Sequence, residues 1–291
     1  MTQRTDAAGA WGVSGSAAAH VAVVTGSSAG IGRAIAVGLA GLGWTIALGA
    51  RRVDRLAESS AAVQAAGGVA IACPLDVTDP ASVDAFFAEV ESRAGVADVL
   101  VNNAGLGFLG AIAETSPQRM RTAVDTNLLG TLYCTRRATA AMLEHGVEGD
   151  LVFISSDSIQ KPYPHMLTYG ATKAAVEYLA SGLDVELGGT GIRVSTIRLG
   201  PTVSEFNTSW PDEDMLAFMN ACERLGITED FNYIPAEHAA AAVVTAVTAP
   251  RGTKVSLLSV RPEVTRQQSS RDRWATAAGQ GRSDRGRKER S

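Results

Sequence analysis

The sequence predicts an α/β fold: one doubly wound domain built on a parallel sheet of about seven strands, with helices on both faces. Three observations carry that expectation. Short β-branched apolar runs alternate with longer amphipathic stretches along most of the chain. The first such run, HVAVVT from His20 to Thr25, ends in the glycine-rich TGSSAGIG. The composition, 46% hydrophobic and 19% charged over 291 residues with a mean hydropathy of +0.07, suffices to bury one large core.

Taken in order, the glycine turn leads into a small-residue helix over about Arg33–Leu42. Strands are then expected at Trp44–Gly49 and Val69–Pro74, and helices at Val53–Ala66 and Pro80–Ala94. The apolar Val99–Val101 ends at NNAG, a long helical stretch runs from about Pro117 to Glu144, and LVFIS from Leu151 to Ser155 is a further strand. A helix over roughly Tyr169–Leu187, a strand at Arg193–Leu199, an irregular region from Gly200 to Tyr233, a helix at Ala236–Ala249 and a last strand near Lys254–Val260 complete the pattern. No repeat beyond this alternation is present.

Charge and cysteine content narrow the function classes. The net charge is -4, with nine basic against four acidic residues from Arg261 to Ser291, so the rest of the chain is acidic. That balance argues against nucleic acid or an anionic membrane as partner. No segment approaches the roughly 18 uninterrupted apolar residues of a membrane span. Cys73, Cys134 and Cys222 are an odd number without CxxC spacing, which fits a reducing cytoplasm. His20, His145, His165 and His238 are scattered without HxxxH spacing, so no metal is expected. Residues 1–18 and 262–291 are low in bulky apolar side chains and are expected to be poorly ordered extensions of a domain spanning 19–261.

The glycines Gly26, Gly30 and Gly32 lie between a strand and a helix, where a missing Cβ lets backbone N–H groups approach a pyrophosphate at the helix N-terminus. The alternative is a tight turn with no ligand. TGxxxGIG on the first strand, NNAG after the fourth and YxxxK at Tyr169 together resemble the classical short-chain dehydrogenase/reductase family over about residues 18–260. The resemblance implies a single Rossmann-like domain that holds both cofactor and substrate. It implies that Gly26, Ser28, Gly30, Ile31 and Gly32 surround the cofactor, that Asp76 and Val77 lie beside the adenine, and that Asn103, Ala104 and Gly105 line the cleft. Asn103 has an alternative role in stabilising the central sheet. Gly200 and Thr202 match the turn near the nicotinamide, with Ser204 an alternative to Thr202 and Leu199 standing where the family has proline.

The end of the second strand reads Gly49-Ala50-Arg51-Arg52, with no acid to accept from ribose hydroxyls; Asp54 comes a few residues late. A bidentate arginine–phosphate contact explains the basic pair, so NADP(H) is preferred and NAD(H) remains possible. Tyr169 and Lys173 lie one helical turn apart on one face and can act on the same ligand. A free phenol titrates near about 10, and a neighbouring ammonium with an oxidised nicotinamide would lower it enough for proton transfer at neutral pH. By the resemblance Lys173 also holds the nicotinamide ribose. Ser156 matches the family serine that hydrogen-bonds the reacting oxygen; Ser155 is the neighbouring alternative, and because adjacent strand side chains point to opposite faces only one of the two is expected to reach the cleft. Asn127 in DTNLLG matches the asparagine that anchors a relay water; the alternative is a local helix-bending hydrogen bond.

The expected activity is therefore hydride transfer between a nicotinamide cofactor and an alcohol or ketone, with Tyr169 as general acid/base. Phe206, Trp210, Met215, Phe218, Met219, Phe231 and Tyr233 either form an apolar lid, over about 202–235, or pack two short helices. Leu106, Phe108, Pro162, Tyr163 and His165 follow family substrate-loop positions and suggest a moderately bulky, uncharged substrate. Family resemblance also suggests a homodimer or homotetramer built through the helices from Pro117 and Tyr169. The competing classes are a non-catalytic NADP-sensing or interaction protein, motivated by the basic tail, and an epimerase or dehydratase on the same fold.

Overall fold

The structure, a computed structural model, describes residues 20–208, 210–227 and 232–263; the expected terminal extensions and Phe231 lie outside them, apart from Pro262 and Glu263. Seven parallel strands form one sheet in the order β3-β2-β1-β4-β5-β6-β7. They are β1 (Val21–Thr25), β2 (Thr45–Ala50), β3 (Val69–Pro74), β4 (Val99–Asn102), β5 (Asp150–Ser156), β6 (Arg193–Leu199) and β7 (Leu257–Val260). The order reverses between β1 and β4, so a crevice opens at the carboxyl ends of those two strands.

Alternate residues of each strand face opposite layers, and both layers are apolar. On one face, Val21, Val23, Leu100, Leu151 and Phe153 pack with α3 (Pro80–Ala94), α5 (Gly130–His145) and α6 (Leu167–Glu186). On the other, Ala22, Val24, Ile46, Val101 and Val152 meet α1 (Gly30–Ala40), α2 (Val53–Ala65) and α8 (Ala236–Val247). Small side chains bring α1 and α8 together: a Cβ on Gly38 would lie 3.3 Å from the Ala240 methyl. Two helices begin on a capping side chain followed by proline at the first position. Asp79 accepts from Ala81 N at the start of α3, and Ser116 accepts from Arg119 N at the start of α4 (Pro117–Val124).

Two expectations change. The long stretch after Pro117 is interrupted by a π-helical segment at Asp125–Leu129, which joins α4 to α5. A wider turn there rotates Asn127 inward, and Thr131 Oγ1 donates back to the Asn127 carbonyl at 2.8 Å. The region expected to be irregular carries α7 (Asp212–Arg224), begun by three acidic residues that favour a helix N-terminus. Among the described residues no helix is long and apolar enough to cross a membrane, and no group of His, Cys, Asp or Glu could hold a metal ion.

The far end of the sheet is closed by Arg193. Its Nε and Nη2 reach the buried Asp150 carboxylate at 2.7 and 2.9 Å, while its Nη1 and Nη2 donate to Ala249, Thr253 and Val247 carbonyls. One guanidinium thereby joins β5, β6 and the end of α8. Arg193→Met removes both close donors from the buried Asp150 carboxylate and leaves it Arg251 Nη2 at 3.7 Å, and we expect a loss of about 3–5 kcal/mol in urea denaturation. Adding Asp150→Asn should recover much of it; a loss below about 1 kcal/mol for Arg193→Met would mean that Arg251 or water takes over the carboxylate.

Candidate active site

A cleft of about 690 Å³ opens at the strand reversal. Its walls include every residue that the sequence assigned to a cofactor or a reacting oxygen except Asn127: Gly26, Ser28, Gly30, Ile31 and Gly32 at one end, Arg51, Arg52, Asp76 and Val77 along one side, and Ser156, Tyr169 and Lys173 at the other end, where Ser155 also borders the cleft although only one of the two serines was expected to. Asn103, Ala104, Gly105, Gly200 and Thr202 complete it.

The glycine turn depends on missing side chains. Gly26 has φ +67 and its N–H donates to the Gly49 carbonyl at 2.8 Å. A Cβ on Gly32 would stand 2.4 Å from the Gly26 carbonyl oxygen and 2.5 Å from Asn103 Nδ2, so only glycine fits. Asn103 Nδ2 donates to the Thr25 carbonyl at 2.8 Å, which ties the end of β4 to the end of β1. That contact supports the sheet-stabilising alternative for Asn103. The N-cap of α1, Ala29, supplies no side-chain cap, and its first turn holds no acid. The turn's free N–H groups are at the cleft wall, the arrangement that accepts an anion.

The two arginines after β2 separate. Arg51 is exposed and its charge helps to hold the Asp76 carboxyl below its ordinary range, with the Thr78 hydrogen bonds opposing the larger effect of burial. Arg52 turns back to Ser28 Oγ, donating from Nε at 3.2 Å and Nη2 at 3.0 Å, and its Nη1 donates to Glu205 Oε2 at 2.8 Å. Glu205 was not anticipated. It stands 153 positions from Arg52, and no local pattern pairs them.

At the other end, α6 begins at Leu167 and places Tyr169 in its first turn. The helix is fixed to β6 by Arg198, which donates to both Glu177 oxygens at 2.9 and 2.6 Å. The expected lowering of the Tyr169 phenol by its neighbours is reversed in this structure: burial pushes it up to about 12, a hydrogen bond with Ser156 works against that, and Asp157 adds to it. Ser156 Oγ also accepts from Ser158 N at 3.2 Å. The neighbouring Ser155 is buried, with no partner for its Oγ. Lys173 is buried, its Nζ donates to the Ile154 carbonyl at 2.8 Å and lies 5.9 Å from the Tyr169 ring centroid, and burial lowers it to about 8.

Asn127 is buried behind this group rather than in the cleft wall. Its amide pairs with both polar groups of Leu106, accepting from N at 2.9 Å and donating to O at 2.8 Å, and also donates to Thr172 Oγ1 at 3.0 Å. Thr202 Oγ1 donates to the Gly200 carbonyl, and Ser204 Oγ accepts from Phe206 N, so each hydroxyl serves its own turn.

The described apolar residues after β6 pack together, as one alternative expects, and several of them border the cleft. Phe218 and Cys222 of α7 pack with Leu109, Tyr163, Met166, Trp210, Met215 and Met219 as a separate small core. Phe206, Trp210, Met215, Phe218 and Tyr233 also line the cleft. The Phe206 ring lies 5.0 Å from that of Tyr169 and 5.4 Å from Trp210, and Trp210 Nε1 donates to the Gly107 carbonyl at 2.8 Å. Of the substrate-loop positions, Leu106, Phe108 and Tyr163 reach the cleft wall; Pro162 and His165 are not part of it. His165 instead takes φ +63 and its carbonyl accepts from Gly110 N.

A doubly wound parallel sheet with a glycine turn at its reversal point is a fold of the Rossmann type. The short chain dehydrogenase family profile matches residues 20–214, and the chain belongs to that family. Among solved structures it is similar to an alcohol dehydrogenase from the archaeon Thermococcus sibiricus complexed with 5-hydroxy-NADP. That likeness has 30% identity and a TM-score of 0.72, over 86% of this chain and 99% of that one. Among curated proteins it is 35% identical over 148 residues to a ketoacyl reductase of Nostoc sp., covering 51% of each chain. It is 34% identical over 150 residues to 3beta-hydroxysteroid dehydrogenase 1 of Eggerthella lenta, covering 52% of this chain and 58% of that one. The match thus spans about half the length of these curated relatives.

The buried lysine has a measurable consequence. Because burial lowers Lys173 from 10.5 to about 8, the unfolded chain binds more protons between those pH values, and stability rises with pH there. Lys173→Met removes this dependence. Urea denaturation should show wild type gaining about 1.4 kcal/mol on the variant per pH unit across that window. A constant difference would mean that the ammonium is not desolvated.

Proposed function

We propose that the chain is an NADP(H)-preferring oxidoreductase that interconverts an alcohol and a carbonyl, with Tyr169 as general acid/base. The observation that carries the reading is the meeting of Tyr169, Ser156 and Lys173 at one end of a cleft whose other end is the glycine turn. The uncapped first turn of α1 fits a pyrophosphate, which would satisfy its free N–H groups. On this reading Gly26, Ser28, Gly30, Ile31 and Gly32 hold the diphosphate, and Asp76 and Val77 flank the adenine. Arg51 and Arg52 face the ribose 2′-phosphate. Asn103, Ala104, Gly105, Gly200 and Thr202 border the nicotinamide half.

The nicotinamide group, when bound, supplies or accepts the hydride. Tyr169 gives its proton to the carbonyl oxygen in reduction and takes the hydroxyl proton in oxidation, while Ser156 orients that oxygen. Burial keeps the phenol protonated at neutral pH, the state that reduction requires. The Lys173 ammonium, charged below about 8, stabilises the phenolate left behind. Asn127 serves by holding the Leu106 loop to Thr172, one residue before Lys173.

The substrate we propose is a moderately bulky, uncharged alcohol or ketone. The aromatic rings beside Tyr169 support this, and the nearby cation, Arg119, is engaged by Asp214 at 3.3 Å and lies over the Phe108 ring. Fluorescence titration with NADPH and NADH tests the cofactor, and tighter NADPH binding is expected. Tyr169→Phe should then lose about 10²–10⁴-fold in carbonyl reduction with NADPH binding retained. Binding of neither dinucleotide would overturn the reading.

We also propose a cytoplasmic homodimer or homotetramer. Exposed Leu132 and Leu143 on α5 and Tyr178 and Val185 on α6 support assembly through those helices. Cys73, Cys134 and Cys222 are buried and form no disulfide, which suits a reducing compartment. Gel filtration should give a dimer or tetramer, and a monomer would remove the assembly.

A further inference from the structure

Glu205 and Phe206 are neighbours in one short 3₁₀ turn, Glu205–Asn207, yet they serve opposite ends of the cleft. Phe206 lies against Tyr169, whereas Glu205 reaches the arginine after β2. All three nitrogens of the Arg52 guanidinium are engaged: Nε and Nη2 by Ser28 Oγ, and Nη1 by Glu205 Oε2 at 2.8 Å. The other Glu205 oxygen stands 3.9 Å from Arg55 Nη2. The turn is held close to the glycine motif, since a Cβ on Gly30 would lie 3.2 Å from Ser204 Cβ. The guanidinium assigned above to the cofactor's 2′-phosphate is therefore already ion-paired to a carboxylate of the chain itself.

Building on the NADP(H) reading, we propose that Glu205 is a specificity-determining residue whose carboxylate competes with the ribose 2′-phosphate for Arg52. NADPH must displace Glu205 to gain the guanidinium, while NADH, with only hydroxyls at that ribose, leaves the pair made. The displacement is feasible because the pair is half-exposed, at 50% and 43% of side-chain area, and such pairs are weak. A phosphate that offers two oxygens to one guanidinium holds it more firmly. Glu205 thus narrows the preference for the phosphorylated cofactor that Arg52 alone would confer.

The test uses the full chain and the same fluorescence titrations, with Glu205→Gln, Arg52→Gln and the double variant. Glu205→Gln should lower the Kd for NADPH by about two- to fivefold and leave that for NADH unchanged. In the Arg52→Gln background the second substitution should leave the NADPH-to-NADH ratio where it was. An equal shift for both dinucleotides would place the effect on a part they share, and would overturn the proposal. So would an unchanged ratio in the single variant, or a shifted one without Arg52. In those cases wild type still binds dinucleotide and the oxidoreductase reading stands; wild type binding neither overturns both.

Discussion

The rest of the site depends on how closely the β1–α1 turn approaches the end of β4. Three contacts set that approach: a Cβ on Gly26 would meet Ala104, a Cβ on Gly32 would meet the Gly26 carbonyl, and the Asn103 side chain donates across to the Thr25 carbonyl. The closeness has two effects. It aims the first turn of α1 at the crevice, and it sets the NNAG segment as a wall between that helix and Lys173. A Cβ on Gly105 would stand 3.5 Å from Lys173 Nζ, so the lysine's position follows from the same contact.

Much of this was legible in the sequence because it rests on local chemistry. Strands buried on both faces appear as unbroken β-branched runs such as VAVVT, and the turns between them demand glycine at fixed places. The Tyr–Lys pair is readable because a helix repeats its face every turn. What could not be read depends on distant parts of the chain. Asn127 reaches Leu106 through a π-helical segment, and nothing in DTNLLG marks the extra residue in that turn. Arg52 was read as half of a basic pair, but Ser28 and Glu205 draw it away from Arg51. The aromatic residues after β6 pack against Leu109, Tyr163 and Met166, partners more than 40 positions away that no local pattern in that segment names.

The two ionisable groups at the reacting end share one cause and differ in sign. Burial favours the neutral form of each, which raises the tyrosine and lowers the lysine, so their titrations move apart from their ordinary near-coincidence. The phenol stays protonated up to about 12, and the ammonium keeps its charge up to about 8. Ser156 acts against the first shift, and the Ile154 carbonyl gives the second group a partner.

The segment between β6 and α8 leaves and re-enters the sheet at almost one point. Thr202 bridges Ile234, Val203 N donates to the Ile234 carbonyl, and Ile234 N donates to the Pro201 carbonyl, so the two ends of the excursion are hydrogen-bonded to each other. Phe218 and Cys222 of the excursion share a small apolar core with Leu109, from the segment between β4 and α4. Between those closed ends the segment touches the site at separate places, through Glu205 at Arg52, Phe206 at Tyr169 and Trp210 at the Gly107 carbonyl. A shift of the 3₁₀ turn at Glu205–Asn207 is therefore felt at the arginine after β2 and at the tyrosine together.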